Sequence, residues 1–393
     1  MMRRKRVDVS RPRGSTMVLM PAPSPTQWQS GVTIEWNTVS DAEPSRFDVR
    51  ALRAPIDPPP AGIVAAANEQ MANAALALEA PGKLKEVAAW IAATQNQLPP
   101  RQLINVRLVV FAGDQAAADP WLVSSTSRVA AAVRAAVGQQ SGVNALGAAH
   151  GVDLRVLDLS VDDDFVDLTE RAALQRYKVS RGSGAIEVED ALSEKQLHAA
   201  LAAGVAVARD EIANGAQLLM VGDVGARDAT AAVALIAAAL GLPAHVVVGN
   251  SIGGRWQGSA ERIDTAVTRI GQRVRDPIST LGALGGADLA AATAFLVTAA
   301  RCGVPALLEG LTAVAAAVTA DRIAPRAATW FTAGYGADDP VQRAALRHLG
   351  LTPLVEGPVQ PAPDIATVTA LPLVRSATAM LIHAAPSSDF FSE

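Results

Sequence analysis

Glycine-containing turns that follow short apolar runs are the strongest candidates for chemistry in this sequence. Five of them stand out: Gly113-Asp114, Gly222-Asp223-Val224-Gly225, Gly249 to Gly254, Glu309-Gly310 and Gly334-Tyr335-Gly336. Glycine lets backbone amides approach a ligand, and a helix N-terminus behind such a turn favours an anion such as a phosphate group. Glycine also ends many strands for steric reasons alone, so a single turn indicates little. Five turns at one edge of a sheet predict that this edge is a small-molecule site or descends from one.

A further candidate anion loop is Arg181-Gly182-Ser183-Gly184, which follows Lys178 closely. The alternative is a flexible surface turn, which the sequence taken alone favours. None of the turns fits GxGxxG or GxxxxGK[ST], so the common dinucleotide-binding and P-loop interpretations are excluded.

Metal and triad chemistry find less support. Asp158, Asp162, Asp163 and Asp164 form an acidic cluster whose oxygens suit a divalent cation. No further acidic residue or histidine joins them at ligand spacing, so we predict a solvated turn and no metal site. The five histidines are scattered, and the single cysteine excludes an intramolecular disulfide.

The turns must be positioned by the elements around them. Six short, nearly continuous apolar runs are predicted strands, as expected for strands covered on both faces: Val106–Ala112, Leu154–Leu159, Gln217–Gly222, Ala244–Gly249, Val304–Leu308 and Ala328–Gly334. Helical stretches alternate with them; Ser193 and Gln196 form a capping box, and Pro340 opens a later helix. This alternation predicts an α/β fold with a doubly wound, mostly parallel, six-stranded sheet. In such sheets ligands bind beyond the carboxyl ends of the strands, where the glycine turns lie.

Composition limits the partners and the location. The chain of 393 residues is 50% hydrophobic but only 4% aromatic, so Ala, Val, Leu and Ile must build the core. A net charge of -4 argues against nucleic acid and anionic membranes as partners. No apolar segment follows MMRRKR, and Gly241-Leu242-Pro243 interrupts the most membrane-like window. We therefore expect a cytoplasmic protein without a membrane span, and no cofactor.

The expected organisation has four parts. Residues 1–60 are rich in Pro, Arg and Ser and predict a poorly ordered arm. Residues 61–100 are the helical part of a small domain, 101–345 an α/β core domain with the ligand site, and 346–393 the C-terminal part of the small domain.

Several longer segments, in a consistent order over roughly residues 70 to 385, carry a family resemblance: PPRQ…VRLVVFAGD from Pro99, YKVSRGSGAIEVEDALS from Tyr177, LLMVGDVG from Leu218, LGGADLAA from Leu284, VPALLEG from Val304 and LGLTPL…ALPLVRSATAML from Leu349. In these the chain resembles the nicotinate-nucleotide–dimethylbenzimidazole phosphoribosyltransferases. The resemblance implies a Rossmann-like domain, a small helical domain from both chain ends, and a homodimer. It also implies a pentosyltransferase reaction of cobalamin biosynthesis: the phosphoribosyl group of nicotinate mononucleotide passes to 5,6-dimethylbenzimidazole, giving α-ribazole phosphate and nicotinate.

On the phosphate side, the family's turn GEMGIGNTT or GDMGIGNTT falls on Gly222 to Thr230. Gly222, Asp223, Gly225 and Thr230 match it, while the second Gly, the Asn and the first Thr are lost. A second turn, GxGTG, keeps only its outer glycines, Gly249 and Gly253. The lysine expected after it has no counterpart, and Arg262 is the nearest cation.

On the benzimidazole side, the family's GDHG keeps Gly113 and Asp114, LLDG becomes LLEG with Glu309, and the histidine of AGH becomes Tyr335. The acceptor must lose a ring proton, so a carboxylate base is needed within hydrogen-bond reach. Aligned without gaps, RLGEGTG places Pro363 where the family has its catalytic glutamate. The adjacent Asp364 is the candidate for a displaced base.

These matches and losses leave three hypotheses. The first is the family's transferase, with its usual or another acceptor base. The second is a catalytically degenerate homologue that acts as a binding or regulatory protein, or as the silent subunit of a heterodimer. The third is an enzyme that binds a different phosphorylated ligand through the surviving turns.

Overall fold

The computed structural model describes residues 48–73, 82–116, 127–222, 229–248, 259–308, 310–337, 339–357 and 365–384. Its helices are α1 (Ala61–Ala72), α2 (Gly82–Thr94), α3 (Ser127–Val137), α4 (Gly142–His150), α5 (Arg171–Leu174), α6 (Glu194–Ala213), α7 (Thr230–Leu240), α8 (Ala244–Val248), α9 (Ser259–Ile270), α10 (Pro277–Leu284), α11 (Ala287–Arg301), α12 (Gly310–Ile323), α13 (Pro340–His348) and α14 (Ile365–Ile382). Its strands are β1 (Val106–Gly113), β2 (Val152–Ser160), β3 (Leu218–Gly222), β4 (Ala306–Leu308), β5 (Phe331–Ala333), β6 (Tyr335–Ala337) and β7 (Val355–Gly357). Short 3-10 helices cover Val49–Arg53, Gly271–Arg275 and Ala327–Trp330.

The main sheet has five strands in the order β2-β1-β3-β4-β5. Every neighbouring pair in it is parallel. A separate parallel pair joins β6 to β7. The predicted α/β class with a mostly parallel, Rossmann-like sheet is therefore confirmed, with five main strands among the described residues in place of six.

Helices cover both faces of the sheet, which is what doubly wound means. Along β1, Val109 and Phe111 belong to one buried cluster, which α6, α7, α11 and α12 complete. Leu108 and Val110 belong to the other, together with residues of α1, α2, α3, α4 and α14. Because successive strand side chains point to opposite faces, a strand buried on both sides must be continuously apolar, as these are.

One predicted strand is wrong. The run at 244–249 was expected to be extended, but Ala244–Val248 forms the single helical turn α8. The amides of Val246 and Val247 both donate to the Pro243 carbonyl, and the Ala244 amide donates to Asp264 Oδ1 at 2.6 Å. These local bonds outweigh the strand preference of valine, which depends strongly on context.

The end of the predicted N-terminal arm also needs correction. Residues 48–57 contain a 3-10 helix and bury Leu52 and Ile56. The Ile56 amide donates to the Pro325 carbonyl, and Arg301 donates to the Leu52 and Ala54 carbonyls. This part of the arm is thus anchored to the core; residues 1–47 lie outside the described residues.

At the other end of the chain, α14 runs through Pro372 as one helix. Helix α14 packs on α2 and α4, and α1 packs on α2. The division into a core and a small domain stays a prediction. No helix in the described part of the chain is long and apolar enough to cross a membrane.

Candidate functional site

A cleft opens at the carboxyl edge of the sheet, at the point where the strand order reverses. The chain runs from β1 outward to β2 and then returns to place β3 on the other side of β1. In open parallel sheets such a reversal leaves a crevice between the two strands, and ligands bind there. The cleft is small and is lined by Gln115, Ala116, Ser183, Ile186, Thr230, Ala231 and Arg262.

The first turn of α7 forms one wall of the cleft. Helix α7 begins at Thr230, and its N-cap residue, Ala229, provides no side-chain cap among the described contacts. The Ala231 amide donates a long hydrogen bond, 3.4 Å, to Gln115 Oε1, so the turn after β1 reaches the start of α7. Backbone amides at a helix N-terminus attract anions, because they carry unsatisfied donors and the positive end of the helix dipole.

The segment Arg181 to Gly184 forms the opposite wall and is held by the strand ends. The Gly182 amide donates to the Ser160 carbonyl at 2.7 Å, and the Ser183 amide donates to the Asp114 carbonyl at 3.0 Å. Gly182 has φ of +70°, a conformation in which glycine is favoured. Of the two interpretations of this segment, the flexible surface turn is wrong, since the loop is bonded to two strands and lines the cleft.

Asp114 links these loops through both its backbone and its side chain. Its Oδ2 accepts the Asp162 amide at 2.9 Å, while its own amide donates to the Ser160 carbonyl. Burial raises the pKa of the Asp114 carboxyl above its ordinary value, the Asp162 amide opposes that shift, and the charges of Asp162 and Asp158 add to it. A buried carboxylate that bonds to a neighbouring loop is suited to positioning that loop.

The acidic cluster after β2 is the predicted solvated turn only in part: Asp162 and Asp164 are exposed, whereas Asp158 is not. Asp158 is fully buried and binds Lys178 Nζ at 2.6 Å. Lys178 also donates to the carbonyls of Val161 and Asp163, at 2.6 and 2.8 Å.

The other acidic side chains of the cluster pair with arginines. Arg181 binds Asp162 and Asp164, and Arg134 binds Asp163, whose pKa this hydrogen bond holds below its ordinary value. No group of three His, Cys, Asp or Glu side chains in the described ranges is placed to hold a metal ion.

The cleft contains a cation, Arg262, which the sequence analysis identified only as the nearest cation to the second glycine turn. Arg262, on α9, lines the cleft, and its Nε donates to Glu187 Oε1 at 3.1 Å. Both side chains are largely buried, with 11% of Arg262 and 10% of Glu187 exposed. A guanidinium beside a helix N-terminus is the donor set expected for a phosphate group.

The predicted site residues are brought together in part. Thr230 and Ser183 line the cleft; Gly222, Gly113 and Asp114 end β3 and β1 beside it, and Gly182 lies in the neighbouring loop. Tyr335 is instead part of β6, where it pairs with Val355 away from the cleft lining. Asp223, Gly225, Gly249, Gly253, Glu309 and Asp364 lie outside the described residues and stay predictions.

Four residues that line the cleft had no role in the sequence analysis: Gln115, Ala116, Ile186 and Ala231. Gln115, which the resemblance aligns with a histidine of the family, accepts a hydrogen bond from the first turn of α7. Ile186 follows the glycine loop by two residues and adds an apolar surface. The sequence signal that could have identified Gln115 and Ile186 is that each lies within two residues of a predicted turn.

The α/β fold and the cleft beyond its strand ends suit a phosphoribosyltransferase, and this is the class to which the chain's relatives belong. Residues 56–389 match a family model described as phosphoribosyltransferase. Among solved structures, the chain is similar to CobT from Thermus thermophilus, with a TM-score of 0.72 and 29% identity, over 84% of this chain and 98% of that one.

Curated relatives identify the branch of this class. The nicotinate-nucleotide–dimethylbenzimidazole phosphoribosyltransferase of Mycolicibacterium paratuberculosis is 37% identical over 332 residues, which are 84% of this chain and 94% of the relative. The protein of the same name from Mycobacterium tuberculosis is 36% identical over 84% of this chain and 91% of its own. The chain belongs to the nicotinate-nucleotide–dimethylbenzimidazole phosphoribosyltransferase family.

Proposed function

We propose that this protein transfers the phosphoribosyl group of nicotinate mononucleotide to 5,6-dimethylbenzimidazole, giving α-ribazole phosphate and nicotinate. Family membership over most of the chain supports the reaction. The observation that carries it is the cleft at the strand-order reversal, where the first turn of α7 and Arg262 face the same space. We further propose that the protein works in the cytoplasm as a homodimer.

The 5′-phosphate, which both the substrate and the product carry, binds between the Thr230–Ala231 turn and Arg262 in this proposal. The helix amides and the guanidinium supply charge-assisted hydrogen bonds, which are stronger than neutral ones. The Ser183 loop, fixed to Asp114, closes the other side and keeps the sugar against the strand edge. The base that takes the benzimidazole proton is proposed to be Asp364, which directly precedes α14 in the sequence.

Turnover tests the proposal directly. The purified full chain is incubated with nicotinate mononucleotide and 5,6-dimethylbenzimidazole, and α-ribazole phosphate and free nicotinate are separated by chromatography over time. Formation of both in equal amounts, lost in Asp364→Ala, is expected. No product at high protein concentration, with a curated relative active in parallel, would instead favour the degenerate homologue or a different phosphorylated substrate.

A pair of arginine variants tests the phosphate site. Arg262→Ala should raise KM for nicotinate mononucleotide by about tenfold or more, the effect of losing one charge-assisted hydrogen bond. Arg269→Ala is the matched control, because Arg269 lies on the same helix but binds Asp190 and the Ile186 carbonyl. An equal rise in KM for both variants would count against a phosphate contact by Arg262.

A further inference from the structure

The segment Ile186–Asp190, between the cleft loop and α6, is held by one arginine of α9 and one of the 3-10 helix that follows it. Arg269 Nε donates to the Ile186 carbonyl at 3.0 Å, and its Nη1 binds Asp190 at 2.7 Å. Arg273 binds both carboxylate oxygens of Asp190, at 2.6 and 2.9 Å. These hydrogen bonds hold the pKa of Asp190 below its ordinary value, with Arg273 the main cause. Arg269 and Arg273 therefore hold the two ends of the segment, Ile186 and Asp190.

Glu187, in the middle of this segment, faces the cleft cation. Its Oε1 accepts from Arg262 Nε at 3.1 Å, and about nine-tenths of each side chain is buried. A buried guanidinium without a negative neighbour is strongly unfavourable, so the carboxylate stabilises Arg262 while the cleft is empty. The consequence is that an anion entering the cleft meets a cation whose charge is already matched.

We propose that Glu187 is a built-in counter-ion of Arg262 that weakens phosphate binding and so sets the affinity of the cleft for its phosphorylated ligands. This inference rests on the proposed function for the identity of those ligands. Substrate and product carry the same 5′-phosphate, and tight binding of both gives no advantage to the chemical step. A carboxylate that competes for Arg262 keeps the arginine in place while allowing the product to leave.

The size of the effect follows from Coulomb's law. A phosphate monoester on the far side of the guanidinium would lie roughly 8 Å from the Glu187 carboxylate, and at an effective dielectric constant near 20 this repulsion weakens binding by about tenfold or more. Because Ile186 and Asp190 hold the segment independently, removing the charge of Glu187 should leave the backbone in place.

The test is phosphate affinity in matched variants of the full chain. Dissociation constants for inorganic phosphate and for nicotinate mononucleotide are measured by isothermal titration calorimetry at constant ionic strength. Glu187→Gln keeps an oxygen acceptor for Arg262 Nε but removes the charge, and both constants should fall by about tenfold. Asp190→Asn is the control. It removes a charge from the same segment, but Asp190 pairs with Arg269 and Arg273, which do not line the cleft, so the constants should stay at the wild-type values.

Constants that are unchanged or higher in Glu187→Gln would overturn the proposal, as would an equal decrease in Asp190→Asn or no phosphate binding by any form. If the glutamine variant does not fold, Glu187→Ala removes the same charge without adding a buried amide, and the same decrease is expected. Failure of the proposed function is distinguishable: tighter phosphate binding in Glu187→Gln together with no α-ribazole phosphate from the wild type would leave this inference standing and the reaction rejected.

Discussion

Replacing Lys178 by methionine tests how the loop behind the cleft is held. Lys178 Nζ donates to Asp158 Oδ2 and to two carbonyls of the following loop, Val161 and Asp163. Asp158 is fully buried, and only 18% of the lysine side chain is exposed. Methionine matches the length of the lysine stem but leaves a buried carboxylate without its cation.

The expected loss follows from that burial. Removing one partner of a buried ion pair typically costs about 3–5 kcal/mol, because the remaining charge is left uncompensated. Asp158 keeps hydrogen bonds from the Val161 amide and from Gln175, at 2.7 and 3.0 Å. These bonds moderate the loss, so we expect the lower end of the range, about 3 kcal/mol.

Urea denaturation followed by circular dichroism measures this free energy of unfolding. Arg181→Ala is the control, since Arg181 pairs with Asp162 and Asp164 in the same loop but is half exposed. Exposed pairs contribute little, so this variant should unfold close to the wild type. A loss below about 1 kcal/mol in Lys178→Met, or equal losses in both variants, would refute the assignment of a buried, stabilising pair.

Two further predictions concern the carboxylate beside the cleft and the helix packing beneath it. Because burial raises the pKa of Asp114 above its ordinary 3.8, its contribution to stability is present at lower pH and is lost as the pH rises through the raised value. The free energy of unfolding of Asp114→Asn, relative to that of the wild type, should therefore be higher at about pH 7 than at about pH 3.5 in urea denaturation. The opposite trend would contradict this. In Gly204→Ala the added Cβ would lie 2.8 Å from the carbonyl carbon of Ala291, where α6 crosses α11, so a loss of about 1–3 kcal/mol or more is expected. Gly62→Ala, with nothing within 4 Å of its Cβ, is the control and should change stability by less than about 1 kcal/mol.

The strands of the main sheet were predictable because burial on both faces leaves a continuous apolar run. The run Val106–Ala112 is such a case, and β1 covers it. The same signal fails at Ala244–Val248, because periodicity alone cannot assign so short an apolar run to a strand or to a helical turn. At α8 the deciding contact is the bond between the Ala244 amide and Asp264, and Asp264 comes from a helix later in the chain.

The site residues that directly follow a strand could be predicted from the sequence. Those that come together from distant segments could not. The turns after β1 and β3 were visible as glycines, yet their shared cleft depends on the strand order, which a single sequence does not contain. Glu187 and Arg262 are 75 residues apart and lie in no glycine turn. A weak signal existed: Arg262, Arg269 and Arg273 recur at helical spacing on one face, opposite the acidic residues of Ile186–Asp190.

The departures from the family pattern are unevenly placed, and this decides which experiment separates the hypotheses. The phosphate end keeps Thr230 at the start of α7 and has a cation, Arg262, at the cleft, whereas the gap-free alignment predicts Pro363 at the position of the family's catalytic glutamate. Phosphate binding should therefore be retained whether or not the protein is a catalyst. An active transferase and a degenerate homologue share that binding step and differ only in the removal of a proton from the acceptor. Binding measurements alone cannot distinguish them, and the appearance of α-ribazole phosphate, with its dependence on Asp364, can.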